Sequence, residues 1–221
     1  MVLDPEWIHI FAVLVALGAA LAAYLLGCFN GAVIVSKYIL HNDIRNHGSG
    51  NAGLTNFHRT FGGGLTFVVI LTDVLKAVAA LCIASFLAVS TGVETEIVAK
   101  YWAGLFCLLG HMFPCMFGFK GGKGILSGGT IALMIDWRVA LVVWGGFLIL
   151  VILTRYVSLG SVWAGASFPF ISWYCYPDPV IIVLAFACGG LVVWKHRENI
   201  QRLIHGNERK FSLHKKKEGK Q

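Results

Sequence analysis

The chain has 221 residues, of which 57% are hydrophobic and only 13% charged, and it carries a net charge of +7. Soluble domains carry roughly a quarter charged residues, so this composition excludes an ordinary water-soluble enzyme and fits a polytopic membrane protein. In such a chain the positive balance reflects topology and anionic lipid rather than nucleic acid.

The N-terminus carries Asp4 and Glu6 and no Lys or Arg ahead of its first apolar run, the reverse of a secretory signal. Residues 8–28 therefore read as a retained first span, despite the cleavage-like Ala20-Leu21-Ala22. Further apolar runs cover 65–89, 97–119, 125–135, 139–153, 157–174 and 180–194. Several approach the roughly 20 residues that cross hydrocarbon. The runs on either side of Asp136-Trp137-Arg138 are short, and read as two tilted helices or as one interrupted helix. Five to seven crossings stay open on that ground. Seven sorts the charges best. With the N-terminus outside, Lys37, Arg45, Arg59, Lys120, Lys123, Arg155, Lys195 and every later Lys or Arg fall inside. Only Lys100 and Arg138 then fall outside. The expected fold is all-α, a polytopic membrane protein of seven transmembrane helices. It forms one domain over 1–211, with the C-terminus cytoplasmic and a basic, mobile tail over 212–221. The six cysteines form neither a CxxC pair nor a cluster with metal spacing, so no metal site and no disulfide framework is expected.

The polar segments carry the chemistry. Between the first two long runs stands His47-Gly48-Ser49-Gly50-Asn51-Ala52-Gly53-Leu54-Thr55-Asn56-Phe57-His58-Arg59. Its neutral donors and glycines suit a phosphate, with Arg59 as a bidentate clamp. A flexible loop accounts for the same composition. Asp73 and Lys76 share a helix face within an apolar run and read as a mutually neutralising pair. The densest signal is the passage from apolar sequence into Lys120-Gly121-Gly122-Lys123-Gly124. A Walker A loop is excluded, because Phe117 and Gly124 stand where it needs Gly and Ser or Thr. A positive anchor needs no glycines, whereas backbone amides that approach an anion do. His111 reads equally as an interfacial histidine or as part of a pocket. Ser158 and Ser161 follow Arg155, where serines often just bond the preceding helical turn. The last run exits into His196-Arg197-Glu198-Asn199, in which His196 and Asn199 share one face of an amphipathic surface helix. An anion pocket at the lipid boundary suits a molecule that is part lipid and part phosphate.

Three blocks together resemble the bacterial acylphosphate:glycerol-3-phosphate acyltransferase family. They are Gly48-Ser49-Gly50-Asn51 with Gly53, Thr55 and Asn56; Gly110-His111 through Gly124; and Arg155-Tyr156-Val157-Ser158-Leu159 with His196-Arg197-Glu198-Asn199-Ile200. The resemblance runs from Tyr24 to about Glu208. It implies an inner-membrane protein with its active site at the cytoplasmic face, making lysophosphatidic acid from acyl phosphate and glycerol 3-phosphate and releasing inorganic phosphate. No cofactor is implied, and the partners are those two substrates and membrane lipid. Carried over by position, the resemblance implies catalytic roles for Ser49, Arg59, Lys123, Ser161, His196 and Asn199. It implies substrate contacts for Gly48, Gly50, Asn51, Thr55, Asn56, His111, Gly121 and Gly122. The chain departs from the family pattern at Cys28, Asn30, Leu54, Ala77 and Leu126-Ser127. None of the eight histidines has Asp five positions on, so the His/Asp base of another membrane acyltransferase class is missing. Substrate-assisted proton transfer is the expectation. A transporter of a phosphorylated or organic anion would share the glycines, lysines and spans, but would be expected to show repeat symmetry, and none is visible.

Overall fold

The computed structural model describes residues 5–211; the tail expected over 212–221 lies outside the described residues. Helix α1 (Pro5–Cys28) leads into the short α2 (Gly31–Ile34) and a π turn (Val35–Ile39). Helix α3 (Leu54–Thr60) sits in the first polar segment. The main bundle follows as α4 (Leu65–Thr91), α5 (Glu96–Met112), α6 (Ile125–Ile135), α7 (Trp137–Thr154), α8 (Val157–Cys175) and α9 (Pro179–Lys195). A short α10 (Arg197–Ile204) comes last. No strand occurs among the described residues, in accord with the all-α expectation.

Local chemistry sets the helix ends. Thr95, Asp136 and Asp178 side chains accept from backbone amides at the starts of α5, α7 and α9, satisfying donors a first turn leaves open. Pro179 occupies the first turn of α9, where its missing N–H costs nothing. Asp136 separates α6 from α7, so the two-helix reading of this region is the right one. Its backbone is extended, and its carboxylate accepts from Arg138 N at 2.7 Å and from Tyr176 Oη at 2.7 Å.

Among the described residues, four stretches are long and apolar enough to cross a membrane: Glu6–Ile39, Leu65–Thr91, Glu96–Phe117 and Trp137–Thr154. Helices α9 and α10, bent by 55°, make a fifth if taken as one span. Helix α6 has 11 residues; it rises about 16 Å, against about 30 Å of hydrocarbon. Leu14, Leu21, Phe86, Val89, Ile152 and Leu153 are each at least 60% exposed. In water each such side chain costs about 1.5–3 kcal/mol relative to burial, and against acyl chains it costs nothing.

Within the bundle, α1 packs on α5, α7 on α8 and α8 on α9. Glycines set the closeness of these crossings. A Cβ on Gly110 would stand 2.1 Å from Tyr24 O, and one on Gly27 2.2 Å from Cys107 O. At the crossing of α8 and α9, a Cβ on Gly189 would stand 2.4 Å from Gly165 O. Small residues at such points let backbones touch where lipid gives no hydrophobic drive to associate. The main core gathers Leu81, Tyr101, Ile131 and Phe168, while a second cluster of Val33, Val35, Ile44, Phe57 and Val69 underpins the first polar segment.

Candidate active site

The second cluster explains why the 47–59 segment holds a shape. Buried Asn30 donates from Nδ2 to Ala52 O at 3.0 Å and caps α2 through Oδ1, accepting from Val33 N at 3.0 Å. Asn56 closes the turn: its Oδ1 accepts from Ser49 N at 3.1 Å, and its Nδ2 donates to His47 O and Asn51 O at 3.0 Å each. Gly48 takes a positive φ of 61° there, and a Cβ on it would meet Asn56 Oδ1 at 2.2 Å. Asn56 thus shapes the loop with its amide group engaged, and it also lines a polar cavity.

The Lys-Gly-Gly-Lys segment is likewise held by internal hydrogen bonds. Gly121 N donates to Met112 O at 3.3 Å and Gly122 N to His111 O at 3.1 Å, so neither amide is open to an anion. Glycine is needed there for closeness instead. A Cβ on Gly121 would lie 2.0 Å from His111 O, and one on Gly122 2.2 Å from His111 Nε2. The segment folds back onto the end of α5 and delivers the Lys123 side chain.

What these segments enclose is a polar cavity of about 460 Å³. The first polar segment lines it with Gly48, Ser49, Asn51, Thr55, Asn56 and Arg59. From other elements come His111, Lys123, Ser161, His196 and Asn199, so residues spread over most of the chain meet at one place. Gly50, Gly121 and Gly122 do not line it; they stand behind the residues that do. An apolar cleft bounded by Leu108, Val143, Phe168 and Val192 adjoins it, sharing Gly124 and Ile125.

Lys123 Nζ donates to Asn199 Oδ1, and Asn199 Nδ2 donates to Glu208 Oε1 at 2.9 Å. Arg202 Nε donates to the other carboxylate oxygen at 2.8 Å. Burial pushes the Lys123 ammonium down to about 8, with the nearby Arg202 charge adding to the shift. Burial raises the Glu208 carboxyl, but hydrogen bonds from Arg202 and Asn199 outweigh it and leave the group below its ordinary range. His196, 3% exposed, hydrogen-bonds through Nδ1 to Val192 O at 2.8 Å. A carbonyl only accepts, so that nitrogen carries the proton and Nε2 is left as an acceptor. Ser161 Oγ donates to Val157 O at 2.9 Å, in the manner ordinary for a helical serine, yet it still lines the cavity.

Ser158, Arg202, Glu208 and Arg209 also line the cavity, and none had been given a site role. Ser158 Oγ is buried and faces the Glu208 carboxylate. Arg202 lies three positions past Asn199 and six past His196, so helical spacing alone could have found it. Glu208 and Arg209 arrive by a turn back of the chain after α10, with Phe211 N donating to Arg155 O at 2.7 Å. No local pattern announces that return.

A cationic, amide-rich cavity beside an apolar cleft, in a bundle of lipid-exposed helices, defines an integral membrane protein built for an amphiphilic anion. A family model described as glycerol-3-phosphate acyltransferase matches residues 17–206. A Clostridioides difficile (strain 630) glycerol-3-phosphate acyltransferase is 38% identical over 196 residues, covering 89% of this chain and 95% of that protein. The Thermoanaerobacter sp. (strain X514) protein of the same description is 35% identical, covering 87% and 93%. The crystal structure of PlsY (YgiH), an integral membrane glycerol 3-phosphate acyltransferase in its glycerol 3-phosphate form, aligns with a TM-score of 0.79. It shares 34% identity over 89% of this chain and 96% of that one. Its lysophosphatidic acid form aligns at 0.75 with 33% identity. The chain belongs to the glycerol-3-phosphate acyltransferase family, and it is an acyltransferase.

Proposed function

We propose that this protein transfers the acyl group of an acyl phosphate to the 1-hydroxyl of glycerol 3-phosphate, giving lysophosphatidic acid and inorganic phosphate. The observation that carries this is the convergence of Ser49, Arg59, Lys123, His196 and Asn199 on one cavity beside an apolar cleft. The protein crosses a bacterial plasma membrane seven times, with the N-terminus outside and the cavity open to the cytoplasm. Helices α1, α4, α5, α7, α8 and α9 supply six crossings, the short α6 completes the seventh together with the sunken polar segment that precedes it, and the inward bias of Lys and Arg supports this orientation.

An acyl phosphate is a mixed anhydride, so its carbonyl is already activated and phosphate leaves readily. The hydroxyl oxygen forms the new ester bond as the carbonyl–phosphate bond breaks. What the protein supplies is positioning, which lowers such barriers by about 7–11 kcal/mol. Lys123, Arg59 and Ser49 hold the phosphates against their mutual repulsion and stabilise charge growing on the departing one. Asn199 and Ser161 orient the substrates, and the acyl tail leaves the cavity past its own apolar lining of Leu126, Trp144, Phe147 and Val157 toward the lipid. The hydroxyl proton passes to an oxygen of the acyl phosphate, while His196 holds the acceptor through Nε2. If so, His196→Ala raises KM more than it lowers kcat. A kcat loss of roughly 100- to 10,000-fold with unchanged KM, the usual contribution of a general base, would transfer the proton to His196 instead.

The decisive test of the activity is release of inorganic phosphate by purified protein that depends on both substrates; release without glycerol 3-phosphate, or none at all, rejects the proposal. The pH dependence follows from Lys123. Its ammonium, lowered to about 8, loses its charge above that pH. Above about pH 7, where glycerol 3-phosphate is already a dianion, the expected kcat/KM for it is level up to about pH 8 and falls with rising pH beyond, because this ratio reports the free enzyme and free substrate. Lys123→Arg should move the fall out of the accessible range; a profile that keeps its break in that variant assigns the ionisation elsewhere.

A further inference from the structure

Beneath the cavity, Asp73 and Lys76 of α4 meet His111 of α5. Lys76 Nζ donates to Asp73 Oδ1 at 2.7 Å, to Phe29 O at 3.0 Å and to His111 Nδ1 at 2.7 Å. These partners account for all the hydrogens of an ammonium, which has no lone pair with which to accept. His111 Nδ1 is therefore the acceptor, and the ring proton sits on Nε2. Asp73 Oδ1 lies 3.6 Å from the same nitrogen, beyond hydrogen-bond distance, and does not compete. Because Gly122 has no side chain, the Nε2 edge of the ring is left uncovered at that point. A Cβ on Gly122 would stand 2.2 Å from His111 Nε2 and 2.7 Å from Ala52 O. Both Asp73 and His111 line the cavity.

We infer that Lys76, braced by Asp73, is a positioning residue for acyl transfer: it fixes the His111 proton on Nε2, so that His111 presents a hydrogen-bond donor to an anionic substrate oxygen. The assignment rests on the function proposed above. It gives the buried pair a purpose that charge neutralisation alone does not, since an isolated pair seldom repays its desolvation. It also makes the two cavity histidines opposite in sense. His111 donates from Nε2, whereas His196, protonated at Nδ1 by its bond to Val192 O, accepts at Nε2. One substrate face thus meets a donor and another an acceptor, which fixes the direction in which an ionised phosphate and a hydroxyl fit.

The test is nitrogen NMR of histidine-labelled protein in phosphatidylglycerol nanodiscs, with the His111 signals identified by their loss in His111→Gln. Wild-type His111 is expected to show an unprotonated Nδ1 and a protonated Nε2, without any substrate. In Lys76→Met combined with Asp73→Asn, which leaves no unpaired buried charge, the ring should populate both tautomers. In kinetics, His111→Gln keeps an N–H donor and should stay within roughly tenfold of wild type in kcat/KM. His111→Leu keeps the bulk without the donor and should lose on the order of 10- to 100-fold, the range for a hydrogen bond to a charged group. A wild-type Nδ1 that carries the proton overturns the inference, as do equal activities for the Gln and Leu variants. Should the double variant not fold, the wild-type spectrum and the His111 pair still decide. Failure of the proposed function shows separately, as absence of phosphate release by the wild type.

Discussion

Lys123→Ala should lower kcat/KM by roughly 100- to 1,000-fold, the loss seen when a preorganised charge-stabilising donor is removed from a buried site. The argument is electrostatic. Two phosphorylated reactants must approach to bonding distance, and like unit charges about 4 Å apart repel by about 4 kcal/mol at the effective dielectric of a protein surface. Arg59 and Arg202 line the same cavity, but Glu208 already partners Arg202. Among the described residues, half-buried Lys123 hydrogen-bonds the neutral Asn199 amide rather than a carboxylate, so its charge is available to substrate. Phosphate release in detergent, with folding checked by size-exclusion chromatography, measures the effect. A Lys123→Ala protein within threefold of wild type would refute the assignment.

Gly110→Ala should prevent assembly of the bundle, at a cost of about 3 kcal/mol or more, the upper end for overpacking. The added methyl would lie 2.1 Å from Tyr24 O, 2.9 Å from Cys28 N and 2.9 Å from Gly27 Cα. All three are backbone atoms, so no rotamer change relieves the collision and α1 must leave α5. Gly18, on α1, has nothing within 4 Å of its virtual Cβ. Gly18→Ala should therefore leave the melting temperature unchanged or raise it, since alanine favours a helix by about 1 kcal/mol over glycine. Equal melting temperatures for the Gly18 and Gly110 variants would show that the crossing yields.

Long apolar periods made the bundle legible. The expected runs at 65–89, 125–135 and 139–153 fall on α4, α6 and α7 within two residues at each end. Hydrophobicity is a local property, and lipid exposure lets it dominate. The 31–46 stretch escaped notice because its short helix, π turn and 3-10 turn are held by Asn30 and Ser36 rather than by any period. Residue types suited to phosphate identified Ser49, Arg59, Lys123 and Asn199, which do share the cavity. The same reasoning does not reveal the internal hydrogen bonds of Asn56, Gly121 and Gly122. Asparagine and glycine serve a loop and a ligand equally well, and only their partners tell which. Lys76 was read as a partner for Asp73 alone, because its reach to His111 crosses 35 positions of sequence.

The unequal lengths of α6 and α7 carry a last consequence. Helix α7 has 18 residues and α6 has 11; with their shared break at Asp136, α6 stops about 10 Å short of its neighbour. With α6 and α7 antiparallel in the proposed topology, Lys123, just ahead of α6, would lie deeper than Arg155 at the end of α7, and the cavity would be a well in the bilayer surface rather than a shelf upon it. A fatty chain anchored in the leaflet meets the water-borne glycerol compound at the level of its own carbonyl, without being lifted out. The product is born where it must finally reside.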